Sequence, residues 1–209
     1  MYVPAHFAAD DESVRTLLDQ HGAADLVTVT SDGLVATLLP FIHDPESGPN
    51  GALLGHVARN NDQWRRPPLG ESLVIVRGPD AYVSPSWYAA KAEHGRVVPT
   101  WNYVTAHVYG ELVVHDDPVW VEQLVRRLTA KHEASRAHPW SVDDAPPAYI
   151  AGQLKAIVGV EVRITRIEAK LKLSQNRPPN DIPGVIDGLR ERGEEATAEA
   201  VEQANRPQP

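Results

Sequence analysis

This 209-residue chain predicts an α+β domain whose sheet closes into a small barrel. Three observations carry the prediction. β-rich runs follow one another through connections too short for crossover helices, only two segments show long helical periodicity, and the later strand runs are long enough to bend around a barrel.

The elements can be justified in order. "ADDESVRTLLDQHG" reads as a first helix: Asp10 or Asp11 caps it, Val14, Leu17 and Leu18 share a face, and Gly22 ends it. "ADLVTVTSDGLVATLLPFI" is a hairpin around Ser31-Asp32-Gly33. After the surface loop "HDPESGPNG", the run "ALLGHV" resumes as a strand, and "ARNNDQW" reads as a short helix. "SLVIVRG", "AYVSPSW" and "TWNYVTAHVYGELVVH" add three strands. In "DPVWVEQLVRRLTAKHEAS" Asp117 caps, Pro118 takes the first helical position, and Val121, Leu124, Val125 and Leu128 form an apolar stripe suited to lie on the sheet. Beyond the turn "DDAPPAY", "AIVGVEVRITRIEAKLKLS" alternates until a break near Thr165, where a bulge is expected. The end carries weak helical spacing (Val185, Ile186, Leu189), then an Ala and Glu-rich stretch from about Gly193 that is expected to be the least ordered part. Residues 1–176 therefore read as the barrel domain and 177–209 as a C-terminal helical extension.

Composition narrows the function classes. The chain has no cysteine, which removes disulfides, thiolate catalysis and sulfur-based zinc sites. Together with the lack of a basic-then-apolar leader or a membrane-length apolar run, this predicts a cytoplasmic protein with no membrane partner. A net charge of −8, from 28 acidic and 20 basic residues, opposes non-specific binding to nucleic acid. No metal site is predicted: in "KHEASRAH" the histidines His132 and His138 are spaced for different helix faces, and the others stand alone. Rossmann, Walker and nucleophile-elbow motifs are absent.

Two unusual stretches remain. In "GHVARNNDQW" a strand passes through Gly55 into a segment bearing His56, Arg59 and Asn60, chemistry suited to a phosphate, although a capped helix with an exposed arginine explains the same residues. In "AYVSPSWY" and "VPTWNYVTAHVYG" the indoles of Trp87 and Trp101 stand beside polar groups, as a planar polar ligand requires, although ordinary packing explains them equally well.

Taken in order, "MYVPAHF", "ATLLP", "GHVARNNDQW", "GPDAYVSPSWY", "VPTWNYVTAHVYG" and "KLKLSQN" resemble the PaiB family of FMN-binding split-barrel proteins, described as negative transcriptional regulators. The resemblance runs from Met1 to about Leu189. It implies a homodimer of six-stranded split barrels, similar to pyridoxamine phosphate oxidases and flavin reductases, with FMN at the subunit interface. It also implies a site: Trp101 and Asn102 for the ring and its pyrimidine edge, His56, Arg59 and Asn60 for the phosphate, Thr37 beside the ring, Trp87 lining the cleft, and Lys172, Gln175 and Asn176 reaching in from the last strand. DNA is a partner by resemblance alone, since charge argues against it and no helix-turn-helix is visible. The alternative function is a flavin-dependent oxidoreductase acting on a small molecule, with His107 or Tyr103 as proton donor.

Overall fold

The computed structural model describes residues 1–206. Six strands form a closed barrel in the order β1-β2-β3-β6-β5-β4. They are β1 (Ala23–Thr30), β2 (Gly33–Asp44), β3 (Ala52–Ala58), β4 (Ser72–Val83), β5 (Thr100–His115) and β6 (Ile157–Lys172). The helices are α1 (Asp11–Gln20), α2 (Ala90–His94), α3 (Pro118–Glu133), α4 (Pro147–Leu154), α5 (Ile182–Glu191) and α6 (Glu195–Ala204). The chain divides into two compact units.

One unit comprises Arg15–Val76 and His107–Ile167. Its hairpin closes at a two-residue loop, with Thr30 opposite Gly33, whose φ of +111° suits glycine. Leu26, Leu53, Val57, Val160 and Val162 fill the barrel interior, and Gln63 closes one end: its buried amide donates to Leu26 O, Thr28 Oγ1 and Val35 O. On the outer face, Ile42, Ala52 and Leu54 are covered by Leu124, Leu128 and Trp120 of α3. That helix starts as its sequence dictates, with the Asp117 carboxylate accepting from Val119 N ahead of Pro118. Farther along the same face, the pairs Val29–Leu34 and Asp25–Leu38 have no helix over them; Leu34 is 74% and Leu38 66% exposed.

The other unit comprises Met1–Val14, Arg77–Ala106 and the residues from Glu168 onward. Here α5 and α6 bury Val185, Leu189, Ala198 and Val201 against Ala81, Val83, Tyr88 and Leu173. Each fully buried Val or Leu contributes about 1.5–3 kcal/mol. The extension is thus integral to this unit.

Four local expectations change. The Ala and Glu-rich stretch forms the helix α6, because Thr197, Ala198 and Val201 recur at helical spacing and are buried, while residues 207–209 of the expected extension lie outside the described residues. "SLVIVRG" and "AYVSPSW" are not separate strands: β4 runs from Ser72 to Val83 through Gly78 and Pro79, so six strands stand where about seven are expected. A helix, α4, follows "DDAP", begun by Pro147 at its first position. "ARNNDQW" is a turn at Arg59-Asn60 followed by a 3-10 segment, Asp62–Arg65, so no α-helix N-terminus faces a phosphate there.

Candidate functional site

In the unit built on His107–Ile167, one of the residues expected around a phosphate, Arg59, is engaged by the protein itself. Arg59 is a latch. Its guanidinium donates to Lys155 O at 2.6 Å, to Ile157 O at 3.1 Å, and through two nitrogens to the Asp116 carboxylate at 3.1 and 2.5 Å. The Asp116 hydrogen bond raises the arginine's pKa, and the arginine lowers that of Asp116. The Arg59 carbonyl also accepts from Trp64 Nε1 and Arg65.

His56 lies opposite Gly159 in the β3–β6 ladder, on the face of β3 that carries Ala52 and Leu54. The ring of Trp120 occupies the space a Cβ at Gly159 would need, and His115 stacks on Trp120 at 3.9 Å between centroids. Burial lowers the pKa of His56, which favours the neutral ring, and its Nδ1 is buried without a hydrogen-bond partner. Thr37 shares the inner face of β2 with Leu39 and accepts from Asn61 Nδ2 at 2.9 Å, which ties the loop to the barrel mouth. Asn60 is exposed.

In the other unit, Trp87 packs against α5: a Cβ on Gly188 would fall 2.3 Å from its ring, and one on Gly184 would meet its carbonyl. That packing fixes the half-buried Trp87 against α5. Asn102 is 1% exposed and both ends of its amide face Ser174 Oγ, at 2.9 and 3.4 Å. It positions the "KLSQN" turn through Ser174. Ser174 itself has φ +69°, a left-handed conformation uncommon for a residue with a side chain. Gln175 is likewise turned inward, accepting from Leu173 N and donating to Leu171 O, both at 2.7 Å. Asn176 is exposed.

Trp101 and Lys172 come together. Lys172 Nζ donates to Thr100 Oγ1 at 2.5 Å and to Trp101 O at 2.7 Å. Trp101 is 50% exposed, its indole N–H fixed on Asp80 at 2.9 Å and its ring edge-on to Tyr82. Sequence reasoning missed a third member of this group, Lys170. Its ammonium sits 5.5 Å from the Tyr103 ring centre, and that of Lys172 sits 5.9 Å from the same ring. The i, i+2 spacing of two lysines on one strand could have revealed it.

Neither lysine has a carboxylate partner among the described residues: Lys170 bonds Tyr2 O, and Lys172 the two neutral oxygens already named. Nor does Arg177, whose guanidinium lies 4.3 Å from the centre of the Tyr88 ring. Burial, then Lys170 and Arg177, lower the pKa of Lys172. Uncompensated cations beside exposed aromatic surface suit a planar ligand with anionic character, and this donor set fits FMN.

No metal-binding cluster occurs among the described residues, and none of their helices is long and apolar enough to cross a membrane.

Comparison with known proteins agrees. Residues 1–166 match the family described as "Putative FMN-binding domain". The chain is 34% identical over 191 residues to the Bacillus subtilis protein named Protease synthase and sporulation protein PAI 2, covering 90% of this chain and 89% of that one. Among solved structures it resembles the flavocytochrome Anf3 from Azotobacter vinelandii, with a TM-score of 0.56 at 15% identity, covering 81% of this chain and 72% of the other. It also resembles the conserved protein Rv2991 from Mycobacterium tuberculosis, with a TM-score of 0.58 at 10% identity over 85% and 94% of the two chains. At such identities the structural likeness speaks for the fold, while the full-length match to PAI 2 speaks for descent, and together they establish that this chain belongs to the PaiB family of FMN-binding split-barrel proteins.

Proposed function

We propose that the protein is a cytoplasmic, FMN-binding regulatory protein of PaiB type, with the flavin as a sensing or structural ligand. The observation that carries the site is the pair Lys170 and Lys172, which face the Tyr103 ring without a carboxylate and stand beside the exposed Trp101. When bound, FMN supplies a redox-active ring whose pyrimidine edge gains negative charge on reduction, and a phosphate. Trp101 gives the ring an apolar surface, while Lys170 and Lys172 hold an anionic part of the ligand.

Support for a regulatory role comes from the relative whose name refers to protease synthesis and sporulation. With a net charge of −8 and no helix-turn-helix visible in the sequence, such regulation works without tight binding of isolated DNA. The chain acts as a homodimer in this reading. The bare strip of Val29, Leu34 and Leu38 is the apolar surface available for a second copy, and light scattering measures the mass. A second reading, a flavin-dependent oxidoreductase, draws on Tyr103, a phenol near two ammonium groups that can relay a proton.

One titration tests the site. Purified protein is expected to bind FMN with a shifted visible spectrum, and Lys172→Met to weaken that binding about tenfold or more. Unchanged affinity in Lys172→Met overturns the site. Anaerobic NADH decides between the readings: persistence of the oxidised flavin spectrum supports the regulator, and rapid bleaching supports the oxidoreductase.

A further inference from the structure

One cavity opens next to the lysine group of β5 and β6 and is lined in part by Arg177, which acts on Lys172. It has a volume of about 510 Å³ and is formed by the turn after β6 together with α5 and α6, all within one unit and all beyond residue 166, where the family match ends. Its apolar walls are Pro179, Ile182, Pro183 and Ile186.

Four charged side chains line it, and they sort into two kinds. Arg190 and Glu202 bond each other at 3.0 Å, and Arg190 also bonds Glu195, so these charges are spent within the protein. Arg177 and Asp187 are different. Arg177 leans on the Tyr88 ring and meets no carboxylate, and Asp187 is exposed and meets no cation among the described residues. One unpaired charge of each sign, on a lining that also offers Ile182 and Ile186, suits a ligand that carries both signs and an apolar body.

We infer that this cavity is a second small-molecule site, for an α-amino acid with an apolar side chain: its carboxylate on Arg177, its ammonium on Asp187, and its side chain on Ile182 and Ile186. The volume falls within the range of small-ligand sites and exceeds what one such molecule needs. Arg177 suits the carboxylate because stacking on Tyr88 already restrains its planar fork of donors. The site supplies a regulatory protein with an effector distinct from its cofactor; because Arg177 also acts on Lys172, Asp187 is the residue that separates this site from the flavin reading.

Calorimetry of the full chain with L-leucine and L-phenylalanine tests this, with isocaproate (the acid without the amine) and isoamylamine (the amine without the acid) as controls. Both amino acids are expected to bind, each control about tenfold more weakly or not at all. Arg177→Gln and Asp187→Asn are each expected to lower amino-acid affinity about tenfold, and Asp187→Asn to leave FMN binding unchanged in the same preparation. Absence of binding by either amino acid overturns the proposal, as does isocaproate binding as tightly as leucine or indifference of leucine affinity to both substitutions. A folded protein that fails to bind FMN yet binds leucine removes the flavin reading and leaves this site standing.

Discussion

Arg59 and Lys172 are both cations beside a distinctive motif, and the fold treats them in opposite ways. Arg59 meets the Asp116 carboxylate and two backbone carbonyls, so its hydrogen bonds are committed to holding the ends of β3 and β6 in place. Lys172 meets two neutral oxygens, and its nearest charged neighbours, Lys170 and Arg177, carry the same sign. A cation that already has its anion is architecture, whereas a group of like charges kept together in an acidic chain has a cost that an incoming anion relieves. The difference teaches that motif and charge together locate a neighbourhood, and the partners decide which residues in it are free to bind.

Three substitutions sharpen or break this contrast. Asn102→Ala is expected to have the largest effect on stability, a loss of about 1–3 kcal/mol, because it strands the buried Ser174 hydroxyl and unfastens the "KLSQN" turn. Denaturant unfolding measures it. If Asn102 instead serves the ligand, FMN affinity falls while unfolding stays put.

His56 gives a smaller effect with a definite sign. Its folded pKa lies below the ordinary histidine value of about 6.5, so the neutral ring's contribution to stability is present above that pH and is lost as pH falls through it toward the depressed folded value. The melting temperature is therefore expected to drop by a few degrees between about pH 7.5 and pH 5. His56→Leu should make that drop shallower without abolishing it, because His21 is also buried and held neutral. A histidine cradling phosphate would do the reverse, binding FMN more tightly as the pH falls.

The smallest expected change is in ligand binding by Arg59→Ala. Its FMN affinity should stay within about twofold of the parent, against the tenfold loss expected for Lys172→Met, while its melting temperature falls. A tenfold loss of affinity in a well-folded Arg59→Ala would erase the distinction between the two cations.

Much of the fold was legible from sequence. Alternation over "LVTVT" and "IVGVEVRI", the Ser31-Asp32-Gly33 turn and the capped stripe of α3 each act locally, so periodicity and turn chemistry suffice. The helix α6 was not legible, because alanine and glutamate hold a helix in place only when a partner such as Leu189 covers them, and that partner lies elsewhere in sequence. The site divided for a related reason. Lys172 and Trp101 are adjacent in space as the resemblance implies, but Asn102, Gln175 and Arg59 stand in the same motifs and are turned to internal partners that sequence does not reveal. Lys170 escaped notice because its role depends on Tyr103 across the sheet.

The fit of Trp87 against α5 reaches beyond stability. A side chain at position 188 would occupy the volume of the indole, and one at position 184 would meet the backbone of residue 87. These positions cannot drift separately. A smaller residue at 87 would open room at 188 but not at 184, so a side chain at 188 fits only together with a smaller residue at 87, and position 184 needs glycine while the "SPSWY" backbone keeps its path.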